Sequence, residues 1–207
     1  MKLAVICANG KAGKLIVKEA LGKGLDVTAF VRGENKSDAE KCVVKDLFDL
    51  TKEDLKGFDV VVDAFGAWTP DTIGGIPKAV EHLCSIVGDA RLLVVGGAGS
   101  LYVNPEHTLT VADGKDFPDA FKPLAAAHDK ALKFLRSQKN VRWTYISPAA
   151  DFQSDRPKRG KYILAGEELT LSPKGESVIG YADYAAAFVD EVVNGKHIGE
   201  RVSVVEG

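Results

Sequence analysis

Residues 2–32, KLAVICANGKAGKLIVKEALGKGLDVTAFVR, decide the fold. Lys2–Ile6 is a short apolar run, Cys7–Gly13 is small and glycine-bearing, Lys14–Gly22 is built of helix formers, and Asp26–Val31 reads as a second strand. Such a strand-turn-helix-strand unit is the nucleotide-binding half of a doubly wound sheet. A phosphate reaches the free amides and positive dipole end of a helix only when no bulky side chain intervenes, and Gly10 and Gly13 remove that obstacle. The dinucleotide is therefore expected over Cys7, Asn9, Gly10, Lys11, Ala12 and Gly13, with the amides of Asn9 to Ala12 as donors. The shifted fingerprint G-x-x-G-x-x-G has Cys7 in place of its first glycine. Position compensates: a strand precedes the turn, a helix follows, and the second strand ends in a charged residue, Arg32, roughly twenty residues beyond it.

The totals narrow the classes. The 207 residues are most simply one domain, read as 1–207, with 151–175 as a lid or substrate-side region. Apolar residues make up 45% and charged ones 27%, as in ordinary soluble globular proteins. A net charge of −2 offers no electrostatic footprint for nucleic acid or an anionic membrane. The apolar runs are strand-sized, so no membrane span is expected. Cys7, Cys42 and Cys84 are scattered and odd in number, which fits a reducing cytoplasm without disulfides. No His pair or Cys-x-x-Cys stands at metal-ligand spacing, so no metal site is expected.

Further strands are read at Cys42–Val44, Phe58–Phe65, Leu92–Val95, Val141–Ile146 and Val202–Val205, and helices at Ile76–Val87, Pro123–Gln138 and Tyr181–Val193. Thr51–Leu55 reads as a short capped helix, and Tyr162–Leu164 with Leu169–Leu171 as a small hairpin. Alternating strands and helices predict a Rossmann-type α/β fold, one doubly wound parallel sheet in the order 3-2-1-4-5-6. Ligands of such sheets bind beyond the carboxyl ends of the strands. That places Phe65, Gly66 and Ala67 beside the pyrophosphate or ribose, whereas Trp68 is read as packed under a loop. His128 shares the apolar stripe of its helix and is read as a packed histidine. Residues 101–120 form an unusually long connection.

The chain resembles the atypical short-chain dehydrogenase/reductases, and within them the NADH-flavin reductase-like branch. The likeness is carried by VICANGKAGKLIVKEALGKGLDVTAFVR, by RLLVVGGAGSLYV, by DFPDAFKPLAAAHDKALKFLRSQKNVRWTYISPAADF and by YADYAAAFVDEV. It implies that Asp46 lies near the adenine, where the residues alone allow a solvated turn equally well. It also implies that Gly96 and Gly97 lie beside the nicotinamide, as a flat open floor for a second ring, and that the loop at Pro148 closes over it.

The chemistry is read largely from what is missing. Most short-chain dehydrogenases use Tyr-x-x-x-Lys, in which the lysine lowers the phenol pKa for proton transfer. Tyr102, Tyr145, Tyr162, Tyr181 and Tyr184 are followed four places on by Glu106, Ala149, Gly166, Ala185 and Phe188. An acceptor that needs no enzymic proton donor fits this absence, and a flavin (FMN or FAD) is one. The expected activity is an NAD(P)H-dependent reductase acting on a flavin or similar flat acceptor. A quinone reductase and a non-catalytic dinucleotide sensor are the alternatives. Ser100 and Tyr102 are the nearest hydroxyls and the catalytic candidates. Arg32, where an NAD enzyme would carry an acid, favours NADP(H) over NAD(H).

Overall fold

The computed structural model describes all 207 residues. The first strands are β1 (Lys2–Ile6), β2 (Asp26–Val31), β3 (Lys41–Val44), β4 (Val60–Asp63), β5 (Arg91–Val95) and β6 (Arg142–Ser147), followed by β7 (Asp151–Gln153), β8 (Tyr162–Ala165), β9 (Val178–Gly180) and β10 (Glu200–Glu206). Eight of them form one sheet in the order β3-β2-β1-β4-β5-β6-β10-β8, all parallel except β8, so the expected order is found and extended at the β6 edge. Helices α1 (Lys11–Gly22) and α5 (Tyr181–Asn194) pack on one face. The other face is covered by α3 (Gly75–Ile86) and α4 (Lys122–Ser137), with the short α2 (Pro70–Ile73) beside them.

Burial on both faces explains the uninterrupted apolar strands. Leu3, Val5, Val60 and Val62 enter the core under α1 and α5, while Ala4, Ile6 and Val61 enter the core under α3 and α4. Parallel register brings the ends of β1, β2, β4, β5 and β6 to one edge: Ile6 lies opposite Phe30 and Asp63, and Asp63 opposite Val94.

Three local expectations are corrected. Tyr162–Leu164 does not pair with Leu169–Leu171. It covers the open side of β10 as β8, with Ile163 opposite Val205, while Leu169 N–H donates to the Tyr102 carbonyl. The apolar strand Val202–Val205 would otherwise be an exposed edge. Thr51–Leu55 forms turns and no regular helix: Asp54 N–H donates to the Thr51 carbonyl (3.1 Å) and Leu55 N–H to the Lys52 carbonyl (3.3 Å), while the Asp54 carboxylate takes the Thr51 amide (2.7 Å) and the Lys45 ammonium (2.6 Å). Trp68 is not packed under a loop: it is 67% exposed.

The stretch after β7 is tied down. The buried Asp183 carboxylate accepts from the Arg159 and Gly160 amides, Arg156 and Arg159 pair with Glu206, and Lys158 pairs with Glu19. β7 and β9 form a separate parallel pair, with Phe152 stacked on Tyr181 at 3.8 Å.

Candidate functional site

The turn between β1 and α1 is shaped for close approach. Cys7 adopts φ +60°, the left-handed conformation that the fingerprint's first glycine would supply. For a side chain with a Cβ this costs about 1–2 kcal/mol. The Gly10 amide closes the turn onto the Cys7 carbonyl at 3.0 Å. A Cβ on Gly13 would stand 2.7 Å from the same carbonyl and 3.0 Å from Ala8 Cα, so only glycine lets α1 seat against β1. No side chain caps α1, and its first turn contains no acid. Since Gly10 N–H is consumed in the turn, the amides left without helical acceptors are those of Lys11, Ala12 and Gly13. Of the amides expected as donors, Asn9 to Ala12, that of Gly10 is engaged within the turn.

Asn9 does something that spacing did not reveal. Its Nδ2 donates to the Glu34 carbonyl at 2.8 Å and its Oδ1 accepts from Lys36 N–H at 2.7 Å. Arg32 follows β2 at the same edge and is exposed, in no ion pair. Asp46 follows β3 and has a local task, accepting the Phe48 amide at 2.9 Å to start the Leu47–Asp49 turn. Phe65 packs edge-on to Phe48 at 6.3 Å and lies where a Cβ on Gly75 would fall, so it is a neighbour of the α3 start. Gly66 is exposed, with the indole nitrogen of Trp68 near it.

Beyond β5 the glycines have a different cause from the one expected. A Cβ on Gly96 would lie 2.3 Å from the Tyr145 ring, and one on Gly97 2.8 Å from the His128 ring. They make room for the chain's own side chains, so the open-floor argument is corrected: the space behind these glycines is filled. Their polar groups are also engaged. Gly96 N–H donates to the Ile146 carbonyl (2.9 Å), Gly97 N–H to the Tyr145 hydroxyl (3.0 Å), and Ser147 Oγ donates to the Gly97 carbonyl (2.9 Å). His128 is packed as expected; burial pushes its pKa down to about 4, so it is neutral, with Nδ1 3.2 Å from the Tyr145 hydroxyl. Pro148 follows directly, buried at the end of β6.

Ser100 and Tyr102 leave this line. Ser100 is 9% exposed, and its hydroxyl and carbonyl accept from the fully buried Arg201 guanidinium at 3.2 and 2.9 Å. The Tyr102 ring stacks on His107 at 4.3 Å under the same guanidinium, which also bonds Glu167. The two hydroxyl residues thus anchor the long connection to β10.

Asp63, at the end of central β4, was hidden in the apolar run VVVDAF. It is 3% exposed and accepts the Phe65 amide at 3.0 Å. Burial raises its pKa from 3.8 to about 7. Burial, then the nearby Asp63, push the Cys7 thiol up to about 12, so it is no nucleophile. A lone acid ending a central strand is the signal that could have found Asp63.

Glycine turn, uncapped helix start and converging strand ends define a Rossmann-type dinucleotide-binding protein. The profile of the NAD(P)H-binding family matches residues 7–194, and the chain belongs to that family. It is 42% identical over 210 residues to the uncharacterized protein YwnB of Bacillus subtilis (strain 168), covering 99% of this chain and 98% of that one. A Streptococcus pneumoniae TIGR4 crystal structure, described as a "putative NADH-flavin reductase", is 54% identical over all of both chains with a TM-score of 0.97. A short-chain dehydrogenase/reductase (wide type) from Veillonella parvula, solved with NADP, shares the fold at 16% identity, TM-score 0.68, covering 99% of this chain and 94% of that one. No helix is long and apolar enough to cross a membrane.

Proposed function

We propose that the protein is an NAD(P)H-dependent reductase whose acceptor is a flavin or another flat, proton-independent hydride acceptor. The observation that carries this reading is the single edge at which the glycine turn, Arg32, Gly66, Gly97 and Pro148 meet without any Tyr-x-x-x-Lys pair. The pneumococcal relative's description supports the same acceptor class. When bound, the nicotinamide supplies the hydride and the flavin N5 receives it, with the balancing proton drawn from water.

The chain's part is binding and orientation. Amides of Lys11, Ala12 and Gly13 hold the pyrophosphate, Arg32 faces the adenosine ribose, and Asp46, Phe65 and Gly66 flank the nucleotide. Tyr145 and Ser147 hold the Gly96–Gly97 backbone rigid at the nicotinamide end, and Pro148 limits water. This reading assigns proton transfer neither to Ser100, whose hydroxyl accepts from Arg201, nor to Tyr102, whose ring lies under the same guanidinium.

The test is NAD(P)H oxidation, followed by loss of nicotinamide absorbance, with FMN, FAD and a quinone. Turnover with a flavin is expected, and Ser100→Ala and Tyr102→Phe should each lower kcat/KM by less than tenfold, about 1.4 kcal/mol. A hundredfold loss in either variant would show an enzymic proton donor and point to a carbonyl acceptor.

The sensor reading has one observation in its favour, the engaged amide and carbonyl of Gly97. Tight nucleotide binding with no oxidation by any of the three acceptors would decide for it.

Arg32 supports NADPH as the preferred reductant. A charge-assisted bond of about 1.5–3 kcal/mol to the 2′-phosphate predicts a preference of roughly tenfold to hundredfold. Arg32→Ala should abolish it, and equal affinity for the two nucleotides in the unmodified protein would make Arg32 a mere surface charge.

A further inference from the structure

Two asparagines brace the segment after β2. Asn9, in the phosphate turn, bonds the Glu34 carbonyl and the Lys36 amide, partners 25 and 27 residues away in the chain. Asn35 folds the segment onto itself, donating to the Ala39 carbonyl at 2.8 Å and accepting from the Ser37 amide (3.0 Å) and hydroxyl (2.8 Å). Ala39 is buried in the core at 5% exposure, which closes the segment at its far end.

Between these braces stand Arg32, Glu34 and Lys36, all exposed, none in an ion pair. Two cations and one anion on a five-residue arc give opposite instructions to a ribose. A 2′-phosphate is attracted by the guanidinium and ammonium, whereas free 2′- and 3′-hydroxyls are bonded by the carboxylate. Which instruction is obeyed depends on how the arc is turned toward the phosphate turn, and the Asn9 amide is the bridge that sets that turn.

We propose that Asn9 is the positioning residue for cofactor discrimination, fixing the Arg32–Lys36 arc against the phosphate turn so that its cations, and not Glu34, meet the adenosine ribose. This rests on the dinucleotide reading given above. Both groups bonded by Asn9 are exposed, so water satisfies them when the side chain is removed, and Asn9→Ala should fold normally.

The experiment is calorimetric titration of the unmodified protein, Asn9→Ala and Asn35→Ala with NADPH and with NADH. The unmodified protein should favour NADPH by at least tenfold. In Asn9→Ala the NADPH affinity should fall by about tenfold and the NADH affinity by less than threefold, so the ratio collapses. Asn35→Ala loosens the arc without touching the phosphate turn and should lower the ratio in the same direction. Equal weakening of both nucleotides in Asn9→Ala would confine Asn9 to its own turn and overturn the inference, as would an unchanged ratio. An unmodified protein that binds both nucleotides equally overturns it too, while leaving the dinucleotide reading intact. Binding of neither nucleotide removes that reading and the inference with it.

Discussion

Gly13→Ala should be among the most damaging single methyl additions in the molecule. Its Cβ would lie 2.7 Å from the Cys7 carbonyl and 3.0 Å from Ala8 Cα, both backbone atoms that cannot rotate aside. Helix α1 must then lift from β1. Overpacking of this kind costs about 1–3 kcal/mol and here should reach the upper end. At roughly 2–4 °C per kcal/mol for a chain of this size, Tm should fall by about 6–12 °C. Binding of NAD(P)H should fall at least hundredfold, because the open amides of Lys11, Ala12 and Gly13 move with the helix. Gly10→Val separates the two effects. Gly10 has φ −66°, ordinary for any residue, and its Cβ would meet the Cys7 carbonyl only at 3.3 Å. That variant should fold with a small loss of Tm and fail to bind nucleotide; retained affinity would remove the pyrophosphate from this turn.

Asp63 should make the protein less stable as pH rises toward neutrality. Its folded pKa, about 7, stands above its ordinary 3.8, so between those values the folded chain holds a proton that the unfolded chain has released. The associated stability is complete below about pH 4, declines as pH rises, and is gone above about pH 7. A shift of this size corresponds to about 4 kcal/mol. Asp63→Asn keeps an oxygen for the Phe65 amide and cannot ionise. Buried His128, with its pKa lowered to about 4, acts in the opposite sense, so Asp63 is isolated by difference: urea unfolding at pH 5 and pH 8 should show Asp63→Asn gaining stability relative to the unmodified protein as pH rises. Parallel curves for the two proteins would mean that Asp63 is solvated enough to titrate normally.

Local patterns carried much of this molecule. The turn, the first six strands and their order were readable because each signal is short in range: apolar runs for strands buried on both faces, glycines where a helix must touch a strand, and right-handed crossovers that leave one economical order. The NAD(P)H-binding family was readable from four stretches spread over nearly the whole chain. Cys7 appeared as a defect in the fingerprint, yet the backbone takes the left-handed turn regardless, since the surrounding contacts outweigh the strain of one Cβ.

What the sequence could not hold were relations between residues far apart along the chain. Gly96 and Gly97 looked like a floor for a ligand because a missing side chain says that something approaches, without saying what; the fold shows Tyr145 and His128 there. Ser100 looked available until Arg201, about a hundred residues later, engaged its hydroxyl; the same guanidinium lies over the Tyr102 ring. The strand Tyr162–Ala165 found β10 rather than its neighbour because an apolar edge elsewhere offered more burial than a local hairpin. The sequence alone determined the order of the first six strands, the glycine turn and the family. Only the tertiary structure decided which hydroxyls are engaged, which carboxyl is buried and what Asn9 bridges, because hydrogen bonding and desolvation depend on distances that the chain acquires when it folds.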